Sequence, residues 1–107
     1  VSRLVFAPSA LDDLDRLTDF LLAQSPEWAA ATAPLIVNGL QALKLHPLVG
    51  RPVEHGLREL LISRGRTGCV ALYQYDPLTD TAIVLAVRHQ REAQEAITTA
   101  SWSPAAP

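Results

Sequence analysis

A single cysteine, Cys69, excludes an internal disulfide from this 107-residue chain, and its apolar surroundings suit a small buried hydrophobe better than a reactive thiol. An excess of positive charge is missing too. With 9 Lys and Arg against 11 Asp and Glu, the net charge is −2, so no general basic field exists to drive sequence-independent binding to nucleic acid. Any contact with RNA or DNA would have to be local, and direct nucleic-acid binding is not expected. No apolar run is long enough to span a bilayer, and Val1 opens directly into a strand-like segment without a basic-then-apolar leader. These features point to an intracellular, cytoplasmic protein without membrane contact. His46, His55 and His89 lack the close spacing of a zinc site, and there is no glycine-rich phosphate loop, so neither metal nor cofactor is expected.

What the chain does have is apolar content. A length of 107 residues supports one core and one domain. Its 49% hydrophobic residues and mean hydropathy of +0.14 are high for so small a protein, which suggests apolar surface reserved for a partner. The run Ala82-Ile83-Val84-Leu85-Ala86-Val87 reads as a buried strand that ends abruptly in Arg88-His89-Gln90-Arg91-Glu92. Polar side chains fixed at a strand end suit recognition or proton transfer. The alternative is a strand that simply ends in solubilising charge.

Leu4-Val5-Phe6-Ala7 is a short strand that stops at Pro8-Ser9, where a helix should begin. Leu11, Leu14, Leu17, Leu21 and Leu22 then line one helical side, leaving Asp12, Asp13, Asp15 and Asp19 to face water and complement the helix dipole. Ser25-Pro26 restarts the pattern as N-cap and first helical residue, and Ala29, Ala33, Ile36, Leu40 and Leu43 keep helical spacing, giving an antiparallel helical hairpin. Pro34 removes an amide donor and crowds the preceding turn, so a kink or restart is expected there, and Gly39 weakens the helix further.

Residues 47–56 read as a loop, in which Arg51 has a structural role between Gly50 and Pro52. Residues 57–62 and 69–75 form a hairpin around a glycine-containing turn carrying Arg64 and Arg66, and a second turn at 76–80 leads into the strand at 82–87. A short closing helix at 90–100 and a tail at 101–107, with Trp102 as its anchor, complete the chain. The expected fold is α+β: an N-terminal strand, a helical hairpin, a three-stranded antiparallel meander packed on it, and a short C-terminal helix, with residues 1–100 as the domain.

Ala7-Pro8-Ser9-Ala10 followed by Asp13-Leu14, Ser25-Pro26, residues 43–47 with Gly50-Arg51-Pro52, Arg58-Glu59-Leu60, Tyr73-Gln74-Tyr75-Asp76 and Val87-Arg88-His89-Gln90-Arg91 stand in a particular order. In that order they resemble the RelE/ParE superfamily of bacterial toxins from type II toxin–antitoxin modules, some of which stabilise plasmids. The resemblance implies a growth-inhibiting toxin in a hetero-oligomer with a cognate antitoxin, whose C-terminal segment wraps the helical hairpin and the sheet edge. Leu11, Leu14 and Leu21 are the candidate antitoxin contacts.

The superfamily holds two activities: RelE-like members cut mRNA on the ribosome, and ParE-like members inhibit DNA gyrase without hydrolysis. RNA cleavage without a metal needs a base, a cation for the phosphorane-like transition state and an acid. Ribonuclease members carry an arginine within Gly-x-Arg-x-x-Tyr, where this chain has Val70 between Gly68 and Tyr73, and they commonly carry a C-terminal tyrosine, whereas none follows Tyr75 here. The resemblance therefore favours the ParE-like branch, with no catalytic residue and with Arg58, Arg88, His89, Gln90 and Arg91 binding the target. The runner-up is a ribosome-dependent endoribonuclease using His89, Arg88 and Arg58. A third possibility is a non-toxic, antitoxin-bound repressor component.

Overall fold

The computed structural model describes residues 1–62 and 68–89. The apolar run near the start forms β1 (Arg3–Phe6), which gives way to α1 (Pro8–Gln24). Pro8 takes the first helical turn, where a missing N–H costs nothing and a fixed φ suits the helix. Ser25 alone separates α1 from α2 (Pro26–Gln41), and its Oγ accepts the Trp28 N–H at 3.2 Å, the N-cap that its sequence context predicts. Leu17 and Leu21 of α1 and Ile36 and Leu40 of α2 are buried together, so the two helices share one apolar interior.

α2 runs unbroken through Pro34, which corrects the expected restart. Pro34 and Ala30, whose carbonyl loses its helical donor, are both exposed, so water can serve that carbonyl.

β3 (Arg58–Leu61), β4 (Cys69–Asp76) and β5 (Thr81–His89) form the antiparallel meander. Two further strands extend it. β1 pairs parallel with β5, and β2 (Arg51–Pro52), within the stretch read as loop, pairs antiparallel with β3. The resulting order is β1-β5-β4-β3-β2. Cys69, Ala71 and Tyr73 of β4 and Ala82, Val84 and Val87 of β5 face the helices and fill the core. The β4–β5 turn is tied by its own polar groups: the Asp76 carboxylate accepts the Leu78 N–H, and Asp80, at φ +51°, accepts from the Ser2 and Tyr75 hydroxyls. Those bonds, from Ser2 first, hold Asp80 below the ordinary carboxylate range. The turn bearing Arg64 and Arg66, the closing helix at 90–100 and the tail with Trp102 lie outside the described residues.

Candidate target-binding site

β1 covers only the first part of the β5 edge, its register running from Arg3 opposite Thr81 to Phe6 opposite Val84. Past Phe6 the buried edge of β5 needs other partners for its backbone groups. α1 supplies them. The Ser9 Oγ donates to the Leu85 carbonyl at 2.8 Å, and the Asp13 Oδ2 accepts the Val87 N–H at 3.0 Å. Ser9 and Asp13 stand four residues apart and so share one side of the helix. The segment Ala7-Pro8-Ser9-Ala10 with Asp13 thus ends one strand and caps the next.

Asp13 was expected to face water, and the structure corrects this: it is 6% exposed. With α1 beginning at Pro8, Asp13 falls in the second turn on the side facing β5. Its charge is met from two directions, by the Arg16 Nη1 at 2.8 Å from Oδ1 and by the Arg88 Nε at 3.9 Å from Oδ2. The Arg88 Nε is buried without a hydrogen-bond acceptor, so Asp13 acts on it by charge across a distance too long for a hydrogen bond.

A bulge decides which way the end of β5 faces. Leu72 pairs with Ala86 and Tyr73 with Val84, leaving Leu85 without a partner on β4. Ala82 and Val84 face the core before the bulge, and Val87 and His89 face it afterwards. Strict alternation from Ala82 would have turned Arg88 inward and His89 outward. His89 is instead 0% exposed, with its ring 5.3 Å from that of Phe20 and 5.5 Å from that of Trp28. The expectation that His89 stays accessible at the strand end is therefore corrected. Arg88 takes the opposite face, beside Val70, and 21% of its side chain is open to solvent.

Arg58 does not join Arg88. The registers set Arg58 beside Tyr73 and Arg88 beside Val70, positions of opposite parity on β4 separated by about 10 Å of strand. The Arg58 Nη1 is committed to the carbonyls of Gly50, at 2.8 Å, and Leu48, at 3.1 Å. Its partner Tyr73 is buried and accepts the Gly50 N–H at 2.8 Å. Burial raises the Tyr73 hydroxyl above its ordinary pKa, with the Gly50 N–H and the Arg58 charge opposing. Arg51 pairs with Glu59 at 2.6 Å, in keeping with the structural role read for it. Arg58 and Tyr73 thus fasten the loop before β2 to the sheet. Gln90 and Arg91 lie outside the described residues.

Of the three candidate antitoxin contacts, Leu11 is 52% exposed, Leu14 half-buried and Leu21 buried. Leu14 and Leu21 form part of the floor of a groove of about 240 Å³ between α1 and α2, lined across from them by Ala29, Ala33, Ile36 and Val37. Among the described residues no cluster of His, Cys, Asp or Glu is placed to hold a metal, and no helix is long and apolar enough to cross a membrane. The residue missed by the sequence reading is Asp13. Its signal was there: an acidic residue four after Ser9, directly beyond a strand that ends in Pro8.

Two helices packed on a five-stranded sheet give the α+β fold of the RelE and ParE toxins. The family model described as the ParE toxin of the type II toxin–antitoxin system parDE matches residues 4–94, and the chain belongs to that family. It is 33% identical over 85 residues to Toxin RelE3 of Caulobacter vibrioides, covering 79% of this chain and 90% of that protein. Among solved structures, the toxin–antitoxin complex RelBE2 of Mycobacterium tuberculosis matches with 27% identity and a TM-score of 0.58, over 82% of this chain and 96% of that one. The chromosomal ParDE system of P. aeruginosa shares the fold with a TM-score of 0.68 at 24% identity, over 82% of this chain and 95% of that one.

Proposed function

We propose that this chain arrests growth in the cytoplasm by binding its target, DNA gyrase, rather than by hydrolysis, and that a cognate antitoxin neutralises it. The observation that carries this reading is the enclosure of His89. A general base must come within about 3 Å of the proton it removes, and a ring packed between Phe20 and Trp28 with no exposed surface offers no such approach. The other members of the ribonuclease alternative support the same choice. Arg58 is occupied by two carbonyls, and Val70, 3% exposed, stands where a nuclease would carry arginine. The name of the Caulobacter relative belongs to the other branch, which keeps ribonuclease activity as the reading to test against.

Arg88 is the target contact in this reading, with Arg91 and Gln90 beside it in sequence. An antitoxin helix would lie along the α1–α2 groove, over Leu14 and Leu21 and against Leu11, as apolar helices do in apolar grooves. Growth assays at matched folded protein test the choice. Reversing the charge with Arg88→Glu should abolish toxicity, since one reversed interfacial charge costs several kcal/mol, whereas His89→Gln should retain it. The opposite ranking would favour the ribonuclease.

A further inference from the structure

We infer that Asp13 is a positioning residue for target binding: its buried carboxylate joins α1 to the end of β5 and sets the Arg88 guanidinium for an acidic side chain of the target. The inference rests on the assignment of Arg88 as a target contact. One oxygen, Oδ2, both accepts the Val87 N–H at 3.0 Å and stands 3.9 Å from the Arg88 Nε. Backbone and guanidinium are therefore referenced to the same point. The Nε has no hydrogen-bond acceptor, and Asp13 is the only carboxylate in ion-pair range of Arg88 among the described residues. Among the described residues no other charge is placed to hold this largely buried cation in one orientation.

Asp13 also has its own second cation, Arg16, on Oδ1. The carboxylate consequently does not depend on Arg88 for neutralisation, and Arg88 can engage a second anion while keeping its place. A guanidinium so held suits a carboxylate on a protein surface, which it can grip by paired donors. Asp13 thereby explains how a residue on the first helix can govern a contact at the end of the last described strand.

Asp13→Asn keeps an oxygen for the Val87 N–H and removes the charge, so it separates the positioning role from the capping role. Wild type, Asp13→Asn, Arg88→Gln and the double variant would be compared for growth inhibition at matched soluble protein, with affinity for the cognate antitoxin measured by calorimetry on the same proteins. Each single variant should lose about tenfold in potency while antitoxin affinity stays within about twofold. In the Arg88→Gln background, Asp13→Asn should cost nothing more, because no guanidinium remains to be placed. Additive losses, or a fall in antitoxin affinity that matches the fall in potency, would show that Asp13 serves the fold alone and would overturn the inference. Failure of the underlying reading looks different: Arg88→Gln would then be as toxic as wild type, or wild type itself would not inhibit growth.

Discussion

Gly50 is the position at which a single added methyl tests the packing around Tyr73. A Cβ there would lie 2.6 Å from the Tyr73 Cε1, 2.7 Å from its hydroxyl oxygen and 2.8 Å from the Glu59 carbonyl oxygen, all far inside the usual contact distance of about 3.5–4.0 Å. The first two atoms belong to a wholly buried ring and the third to a paired strand, so none can swing aside. Overpacking of this kind costs about 1–3 kcal/mol. Displacing the loop would also break the 2.8 Å bond from the Gly50 N–H to the Tyr73 hydroxyl, and a buried unpaired donor costs about 1–3 kcal/mol more. Gly50→Ala should therefore destabilise the protein by about 3 kcal/mol, a fall in Tm on the order of 15 °C for a domain of this size. Tyr73→Phe alone should cost about 1–2 kcal/mol by orphaning the same N–H. The double variant should cost less than the sum, because both changes break one bond and removal of the hydroxyl relieves one of the three clashes. Urea denaturation followed by the fluorescence of Trp28, which packs on His89, gives all the values. A Gly50→Ala cost below about 0.5 kcal/mol, or strict additivity in the double variant, would refute the reasoning.

Two further outcomes follow from the same geometry. Because burial raises the Tyr73 hydroxyl above its ordinary 10.0, its contribution to stability is complete below pH 10 and is lost as the pH rises through the folded-state value; wild type should then weaken more steeply above pH 10 than Tyr73→Phe, and equal slopes would contradict this. His89→Gln removes two ring contacts worth about 0.5–1.5 kcal/mol each, so it should lower stability by about 2 kcal/mol while sparing toxicity per folded molecule, and a variant of unchanged stability that has lost toxicity would place His89 in the chemistry instead.

The helices and the meander could be read from local signals, since Pro8, Ser25 and Pro26 mark helix starts and the apolar run at 82–87 marks a buried strand. The places of the two outer strands in the sheet were harder to read for physical reasons. β2 is two residues long and has no periodicity of its own, and the partner of β1 is seventy-odd residues away, as the pairing of Arg3 with Thr81 shows. The candidate site turned on the Leu85 bulge. An unbroken apolar run gives no alternation from which a one-residue shift of phase could be seen, so the outward place of Arg88 and the inward place of His89 were hidden in it. Asp13 was misplaced for the opposite reason. Its neighbours Asp12, Asp15 and Asp19 do face solvent, and only the long-range need of the Val87 N–H distinguishes it from them.

Binding of gyrase by this ParE-family toxin is tested most directly by setting supercoiling by purified gyrase beside cleavage of mRNA on programmed ribosomes, with the same toxin preparation in both. The expected result is dose-dependent loss of supercoiling that added antitoxin reverses, with the mRNA left intact. Ribosome-dependent cleavage at toxin levels that leave gyrase fully active would contradict it.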